Sequence, residues 1–251
     1  MNADDLLIAS SLKFECIPLL ISSTAETLEL NTNFPSKLVF KGKNINIFPG
    51  YAFYQCSPTS VSFPELTTIS GNRIMYYAFS NCTNLTSVSF PELTTVAGEY
   101  AMYDAFSSCT NLTSVSFPKL TTVAGENAMS YAFSSCTNLT SVSFPELTTI
   151  SGDGSIAFIF ANCTNLTSVS FPELTTISGK SVLNYAFSSC KKLTSVSFPK
   201  LTTVTEPKSA FFQMGTTSAL TVHLPKALSS LGITNHVNTN DPSYGSFVYD
   251  L

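Results

Sequence analysis

The string Ser-Val-Ser-Phe-Pro occurs six times in this chain of 251 residues, with its phenylalanine at Phe63, Phe90, Phe117, Phe144, Phe171 and Phe198, each 27 residues after the last. Self-similarity at such a period restricts the chain to an array of stacked coils, because one unit of this length cannot bury its apolar side alone. Gly71, Gly98, Gly125, Gly152 and Gly179 keep the same step, as do Cys82, Cys109, Cys136, Cys163 and Cys190, with Cys56 one residue out of phase. A degraded seventh copy, Val222-His223-Leu224-Pro225, falls one residue short of the period.

One unit can be read in order over residues 75–98. Met75, Ala78, Phe79 and Cys82 stand at i, i+3, i+4 and i+7, which predicts a short helix or helical turn with those four side chains inward. Leu85, Val88 and Phe90 then give the L-x-x-L-x-L signature of a leucine-rich repeat. The period changes there from 3.6 to 2, so Ser87 to Phe90 is expected to be a strand with Val88 and Phe90 buried. Pro91 has no N–H to give to a ladder and closes that strand. Leu93 and Val96 add two more inward positions, and Gly98 permits the turn into the next coil.

Stacking such coils lines the strands up in a parallel ladder over one continuous core. The expected architecture is an α/β repeat solenoid with 27-residue coils, a parallel β-sheet on one face and short helices or turns on the other. Residues 1–50 read as an N-terminal cap with a first irregular coil, 51–206 as the regular repeats, and 207–251 as the degraded last repeat and C-terminal cap of one continuous domain. Leu28-Glu29-Leu30 reads as the strand of the first, longer coil.

The unit Tyr-Ala-Phe-Ser-Ser-Cys-Thr-Asn-Leu-Thr-Ser-Val-Ser-Phe-Pro at 131–145 resembles the BspA-like leucine-rich repeat, whose pattern is Ala-Phe, then Cys, then Leu-x-x-Val, then a closing Pro. The resemblance covers roughly residues 51–225. It implies a cell-surface or secreted protein of bacteria or parasitic protists, engaged in adhesion or host binding. The N-terminus itself does not read as a signal peptide, because Asp4 and Asp5 stand where a basic region belongs and Lys13 and Glu15 interrupt the apolar stretch.

Three columns of the solenoid are candidate contact surfaces. On the strand face Ser87 and Ser89, Ser114 and Ser116, Ser141 and Ser143, and Ser168 and Ser170 alternate outward as a lawn of hydroxyls, read either as a binding face or as a merely solvated sheet. Counting round the helical turn at 100° per residue, the position before each Ala points away from the core. It holds Tyr51, Tyr77, Asp104, Tyr131, Phe158 and Tyr185. This aromatic row fits a protein hot spot or a sugar-stacking platform if exposed, and a packing device if the rings lie on one another. The variable pairs Asn72-Arg73, Glu99-Tyr100, Glu126-Asn127, Asp153-Gly154 and Lys180-Ser181 form the third column, on a surface turn. Glu65, Glu92, Lys119, Glu146, Glu173 and Lys200 form a charge ladder that reads as an aid to solubility.

Catalytic and metal chemistry find no support in the residues. The two histidines, His223 and His236, lie near the C-terminus, and the periodic cysteines lack C-x-x-C spacing and read as a buried thiol ladder. No phosphate-binding loop, dinucleotide fingerprint or nucleophile elbow occurs, and no cofactor is expected. The Asn-Leu-Thr strings at Asn84, Asn111, Asn138 and Asn165 fit a glycosylation acceptor but follow from the repeat itself. A net charge of −4 opposes nucleic-acid binding, and no apolar run reaches the ~18 residues of a spanning helix. The expected function is a non-enzymatic, adhesin-like recognition solenoid for a protein or glycan surface. The alternative is a structural protein that self-associates, as in a surface layer or a virion appendage.

Overall fold

Six near-identical units fold into stacked coils whose backbones meet along three sides. The structure is a computed structural model and describes residues 36–40, 43–45, 48, 50–215, 220–233 and 246–251. Leu28–Leu30, Cys16 and His236 lie outside these residues. The strand beside the first regular coil is β1 (Lys37–Val39), paired in parallel with β3 (Ser60–Ser62) through Leu38 opposite Val61.

The Ser-Val-Ser strings build the first sheet. From β1 and β3 it continues through β5 (Ser87–Ser89), β7 (Ser114–Ser116), β9 (Ser141–Ser143), β11 (Ser168–Ser170), β13 (Ser195–Ser197) and β15 (Thr221–Leu224) to β16 (Ser246–Tyr249). Every pairing in it is parallel, and coil-equivalent serines stand side by side, as with Ser87 and Ser114. The strands stop before the prolines, as expected.

A second parallel sheet was not expected from the sequence. Its order is β14 (Thr203–Val204), β12 (Thr176–Ser178), β10 (Thr149–Ser151), β8 (Thr122–Ala124), β6 (Thr95–Ala97), β4 (Thr68–Ser70) and β2 (Asn44–Ile45). Each strand centres on an inward Ile or Val, such as Val96 or Ile150. Threonines lock its start: Thr94 directs both its N–H (2.9 Å) and its hydroxyl (3.0 Å) at the carbonyl of Thr67 one coil earlier.

The third side corrects the helical reading. Residues 71–82 and their equivalents are not helical but a run of tandem turns. Ala78, Ser80 and Cys82 close turns by donating to the carbonyls of Met75, Tyr77 and Phe79. The intervening residues reach across instead: Arg73, Met75, Tyr77, Phe79 and Asn81 donate at 2.7–2.9 Å to Glu99, Ala101, Tyr103, Ala105 and Ser107 of the next coil. Arg73, Tyr77 and Asn81 have φ of 58°, 54° and 60°, and the same offsets are left-handed in the following coils. A right-handed helix cannot pass through such residues. Met75, Ala78, Phe79 and Cys82 are nonetheless fully buried, because turns of this length return the same residues to the core.

Between the three sides runs a core continuous from Phe48 to Ile233. Two parallel phenylalanine ladders form its centre. Phe63, Phe90, Phe117, Phe144, Phe171 and Phe198 stack at 4.9–5.5 Å, and Phe53, Phe79, Phe106, Phe133, Phe160 and Phe187 at 5.0–6.1 Å. The ladders meet edge to face, for example Phe117 against Phe133 at 5.9 Å. Gly125 shows why its column is glycine: a Cβ there would stand 2.6 Å from the carbonyl oxygen of Gly98, at a φ of +114°.

Candidate functional site

The left-handed positions of the turns project outward, and their side chains make the chemically varied face of the molecule. At the row Tyr51, Tyr77, Asp104, Tyr131, Phe158 and Tyr185, φ lies between 53° and 61° throughout. Glycine and asparagine tolerate that conformation, whereas other residues hold it at about 1–2 kcal/mol. Five of the six residues here are aromatic.

Stacking offsets part of that strain. Tyr51 lies on Tyr77 at 4.8 Å, Tyr131 on Phe158 at 4.4 Å and Phe158 on Tyr185 at 4.7 Å, with ring planes within 17° of parallel. Such pairs contribute roughly 0.5–1.5 kcal/mol each beyond the area they bury. The rings are therefore both packed and accessible. Tyr51 is 48% exposed and the others are half-buried. Their faces cover one another and their edges are left partly exposed, with the Tyr77 hydroxyl turned to Asp104. A sugar ring needs an open aromatic face to lie on, so this geometry suits protein side chains better than a stacked saccharide.

Asp104 interrupts the row where the aromatic surface is richest. Tyr103, its chain neighbour, stacks on Tyr76 at 5.4 Å and leans at 51–58° against Tyr77 (5.7 Å) and Tyr131 (5.5 Å). Tyr54 meets Tyr51 at 5.6 Å and Tyr100 meets Tyr103 at 5.3 Å. Seven of the ten tyrosines thus form one patch. Arg73, the sole arginine of the chain, sits over the rings of Tyr76 and Tyr100 at 5.6 and 5.5 Å.

Asp104 is held by a relay of hydroxyls. Tyr77 and Ser107 donate to its carboxylate. Ser80 Oγ lies 2.9 Å from Ser107 Oγ, and Asn81 Nδ2 donates to Ser80 Oγ at 3.1 Å. Burial raises the pKa of Asp104, partly countered by these hydrogen bonds. Burial, with the Asp104 charge second, raises Tyr77 and pushes Tyr103 up to about 12; the same causes raise Tyr131. Four tyrosines, Tyr51 among them, feel this one carboxylate.

The other sequence candidates are placed as follows. Ser114, Ser116, Ser141, Ser143, Ser168 and Ser170 are exposed on the first sheet, while Ser87 and Ser89 are half-buried. That face is uniform and uncharged. In the variable column Asn72 Oδ1 and Asp153 Oδ1 accept the backbone N–H groups of Glu99 (3.0 Å) and Lys180 (2.8 Å) one coil on. Two steps of the charge ladder form ion pairs, Lys119–Glu92 at 2.6 Å and Lys200–Glu173 at 2.7 Å, all on exposed side chains. Cys82, Cys109, Cys136, Cys163 and Cys190 are buried thiols whose Sγ donates to a phenylalanine carbonyl at 3.1–3.2 Å. His223 pairs with Asp250 at 2.9 Å. Among the described residues no group of three or more His, Cys, Asp or Glu is arranged to hold a metal, and no helix is long and apolar enough to cross a membrane. Sequence reading passed over Tyr54, Tyr76, Tyr100, Tyr103 and Arg73 as partners of the row: Tyr54, Tyr100 and Arg73 do not recur from coil to coil, and Tyr76 and Tyr103 share one position in two adjacent coils only.

A family model for the BspA type leucine-rich-repeat region matches the chain in six copies, over residues 46–177 and 104–240. Solved structures with related folds include the pneumococcal vaccine antigen PcpA, at 16% identity and a TM-score of 0.47, covering 83% of this chain and 44% of that one. This chain therefore spans under half the length of that antigen. A leucine-rich-repeat protein of T. pallidum is 22% identical with a TM-score of 0.34, covering 66% of this chain and 86% of its own. One from Bacteroides ovatus is 17% identical with a TM-score of 0.27, covering 84% of both chains. No curated protein matches the chain.

Proposed function

From the premise that this chain belongs to the BspA-type leucine-rich-repeat family, whose members are generally binding scaffolds, we propose that it is a non-enzymatic, adhesin-like recognition protein acting through its turn face. The observation that carries this reading is the aromatic row at left-handed positions. Side chains that strain the backbone and keep their edges in solvent contribute less to folding than an inward ring would, and strain of that kind points to use. Tyrosine is the residue type that dominates protein hot spots, supplying area and a hydroxyl at low entropic cost. The partner is a protein surface, with the tyrosine patch from Tyr51 to Tyr131 as the centre of contact.

The test compares wild type with a Tyr77, Tyr131 and Tyr185 triple alanine variant on host-cell surfaces and on a glycan array. Binding to a surface protein that the variant loses, with the fold intact by circular dichroism, is the expected result. Binding that survives the three substitutions moves the site to the serine face and overturns the proposal.

A second reading, end-to-end self-assembly, is favoured by one observation. The exposed large apolar residues Val39, Tyr51, Leu231, Val248 and Leu251 all lie in the first or last described coils. Light scattering over a concentration series separates the two, since an assembling solenoid grows in mass and a recognition module stays monomeric.

A further inference from the structure

We propose that Asp104, walled by Tyr77, Tyr103 and Tyr131, is the receiving site for a lysine or arginine side chain of the protein partner. The inference rests on the turn face being the recognition surface and names the group that it recognises. Where the row would place a sixth ring, the chain places a carboxylate, half-buried on the coil between those that carry Tyr77 and Tyr131. The ring of Tyr103 lies 5.7 Å from that of Tyr77 and 5.5 Å from that of Tyr131 and so bridges the two.

Two further observations make the site one for a cation. First, the carboxylate has hydroxyl donors, Tyr77 and Ser107, but among the described residues no lysine, arginine or histidine forms an ion pair with it. A half-buried carboxylate without a counter-charge gains more from an incoming cation than an exposed one does, because the partner restores interactions lost with water. Second, this patch already holds a guanidinium: Arg73 rests over Tyr76 and Tyr100, within the range of a cation–π contact. The neighbouring turn column carries Arg73, Glu99, Glu126, Asp153 and Lys180, so three exposed carboxylates stand between one cation at each end. The field around the site thus draws a positively charged segment.

The chain has no tryptophan, so tyrosine emission reports on this face. The experiment titrates the full chain with hexa-arginine, hexa-lysine and hexa-glutamate peptides at moderate salt, following tyrosine emission and the tyrosine ring signals by NMR. Asp104→Asn is compared with Glu126→Gln, which removes the same charge from the exposed column beside it. The expected result is saturable binding of the basic peptides only, weakened at least tenfold by Asp104→Asn and less than twofold by Glu126→Gln. Equal weakening by both variants reduces the effect to overall charge and overturns the proposal, as does unchanged binding in Asp104→Asn. A wild-type dimer that Asp104→Asn dissolves would seat a lysine of a second copy there and overturn the assignment to a partner. Loss of host-surface binding in the triple tyrosine variant but not in Asp104→Asn would leave the recognition role standing and remove only the cation site.

Discussion

Tyr131 and Phe158 stack with ring centroids 4.4 Å apart and planes within 6°, each on a backbone held at a φ of 55–57°. The contact and the strain oppose each other at the same two residues, and the balance between them can be measured.

Replacing Tyr131 separates the two. Tyr131→Ala removes the ring but keeps a Cβ in the left-handed region, whereas Tyr131→Gly removes both. The glycine variant is expected to be the more stable by about 1 kcal/mol, since left-handed backbone costs other residues roughly 1–2 kcal/mol. In a helix the order would be the reverse, with alanine ahead by about 1 kcal/mol. Urea unfolding of the two variants decides it, and an alanine variant that is the more stable would remove the tandem-turn assignment.

The inward rings respond on a different scale. Phe117 is fully buried between Phe90 and Phe144, with Phe133 across its edge. Phe117→Ala leaves a cavity in an array whose neighbours are fixed by their own ladders, and is expected to cost about 3–5 kcal/mol. Tyr131→Ala, on a half-buried ring, is expected to cost far less. Comparable losses in denaturant titrations would show that the outer row belongs to the core.

These contrasts also mark what the sequence could convey. The 27-residue period, the Ser-Val-Ser strands and the inward Val88, Phe90, Leu85, Cys82 and Phe79 were legible because six copies repeat one burial pattern. Leu93 and Val96 read as inward positions and Gly98 as a turn, and the strand Thr95–Ala97 stays hidden among them, for three residues show too little alternation to declare themselves. The spacing of Met75, Ala78, Phe79 and Cys82 fits a helix and a run of tandem turns equally well. The residues that distinguish them are Gly154, in the column of Arg73, and Asn81 and Asn162, all at left-handed positions. The row itself is visible as aromatic, but the patch around Asp104 also takes in Tyr54 and Tyr100, which the 27-residue period does not repeat, and Tyr76 and Tyr103, which share one position in two adjacent coils only.

The thiol ladder is expected to be chemically silent in the native protein. Burial raises Cys109 and Cys190 to about 12 and Cys136 well above the ordinary thiol value of 9.0. Only the thiolate attacks a disulfide reagent, and these sulfurs are both protonated and enclosed. Reaction of the periodic cysteines with an aromatic disulfide at pH 8 is expected to wait for unfolding, and to accelerate steeply through the denaturant transition. Prompt modification of several of them in the folded chain would contradict the inward turn.

Asp104 supplies a prediction in which pH sets the sign. Burial holds its pKa above the ordinary 3.8, so in the folded chain it takes up a proton at a pH where the unfolded chain is still ionised. A group of this kind favours the fold while protonated, and that advantage is lost as pH rises through the raised value. Asp104→Asn removes the ionisation, leaves an oxygen to accept from Tyr77 and Ser107, and places at φ 54° a residue that tolerates the left-handed region. The variant is therefore expected to melt higher than wild type at pH 7, with the difference shrinking as pH falls and gone below 3.8. The same substitution is expected to weaken binding of a basic peptide at pH 7. A residue retained at a cost in stability and required for a contact is one kept for recognition. Thermal melts at pH 3.5, 5 and 7 check the first half. A variant less stable than wild type at pH 7 would mean that the carboxylate is satisfied in the fold and serves structure instead.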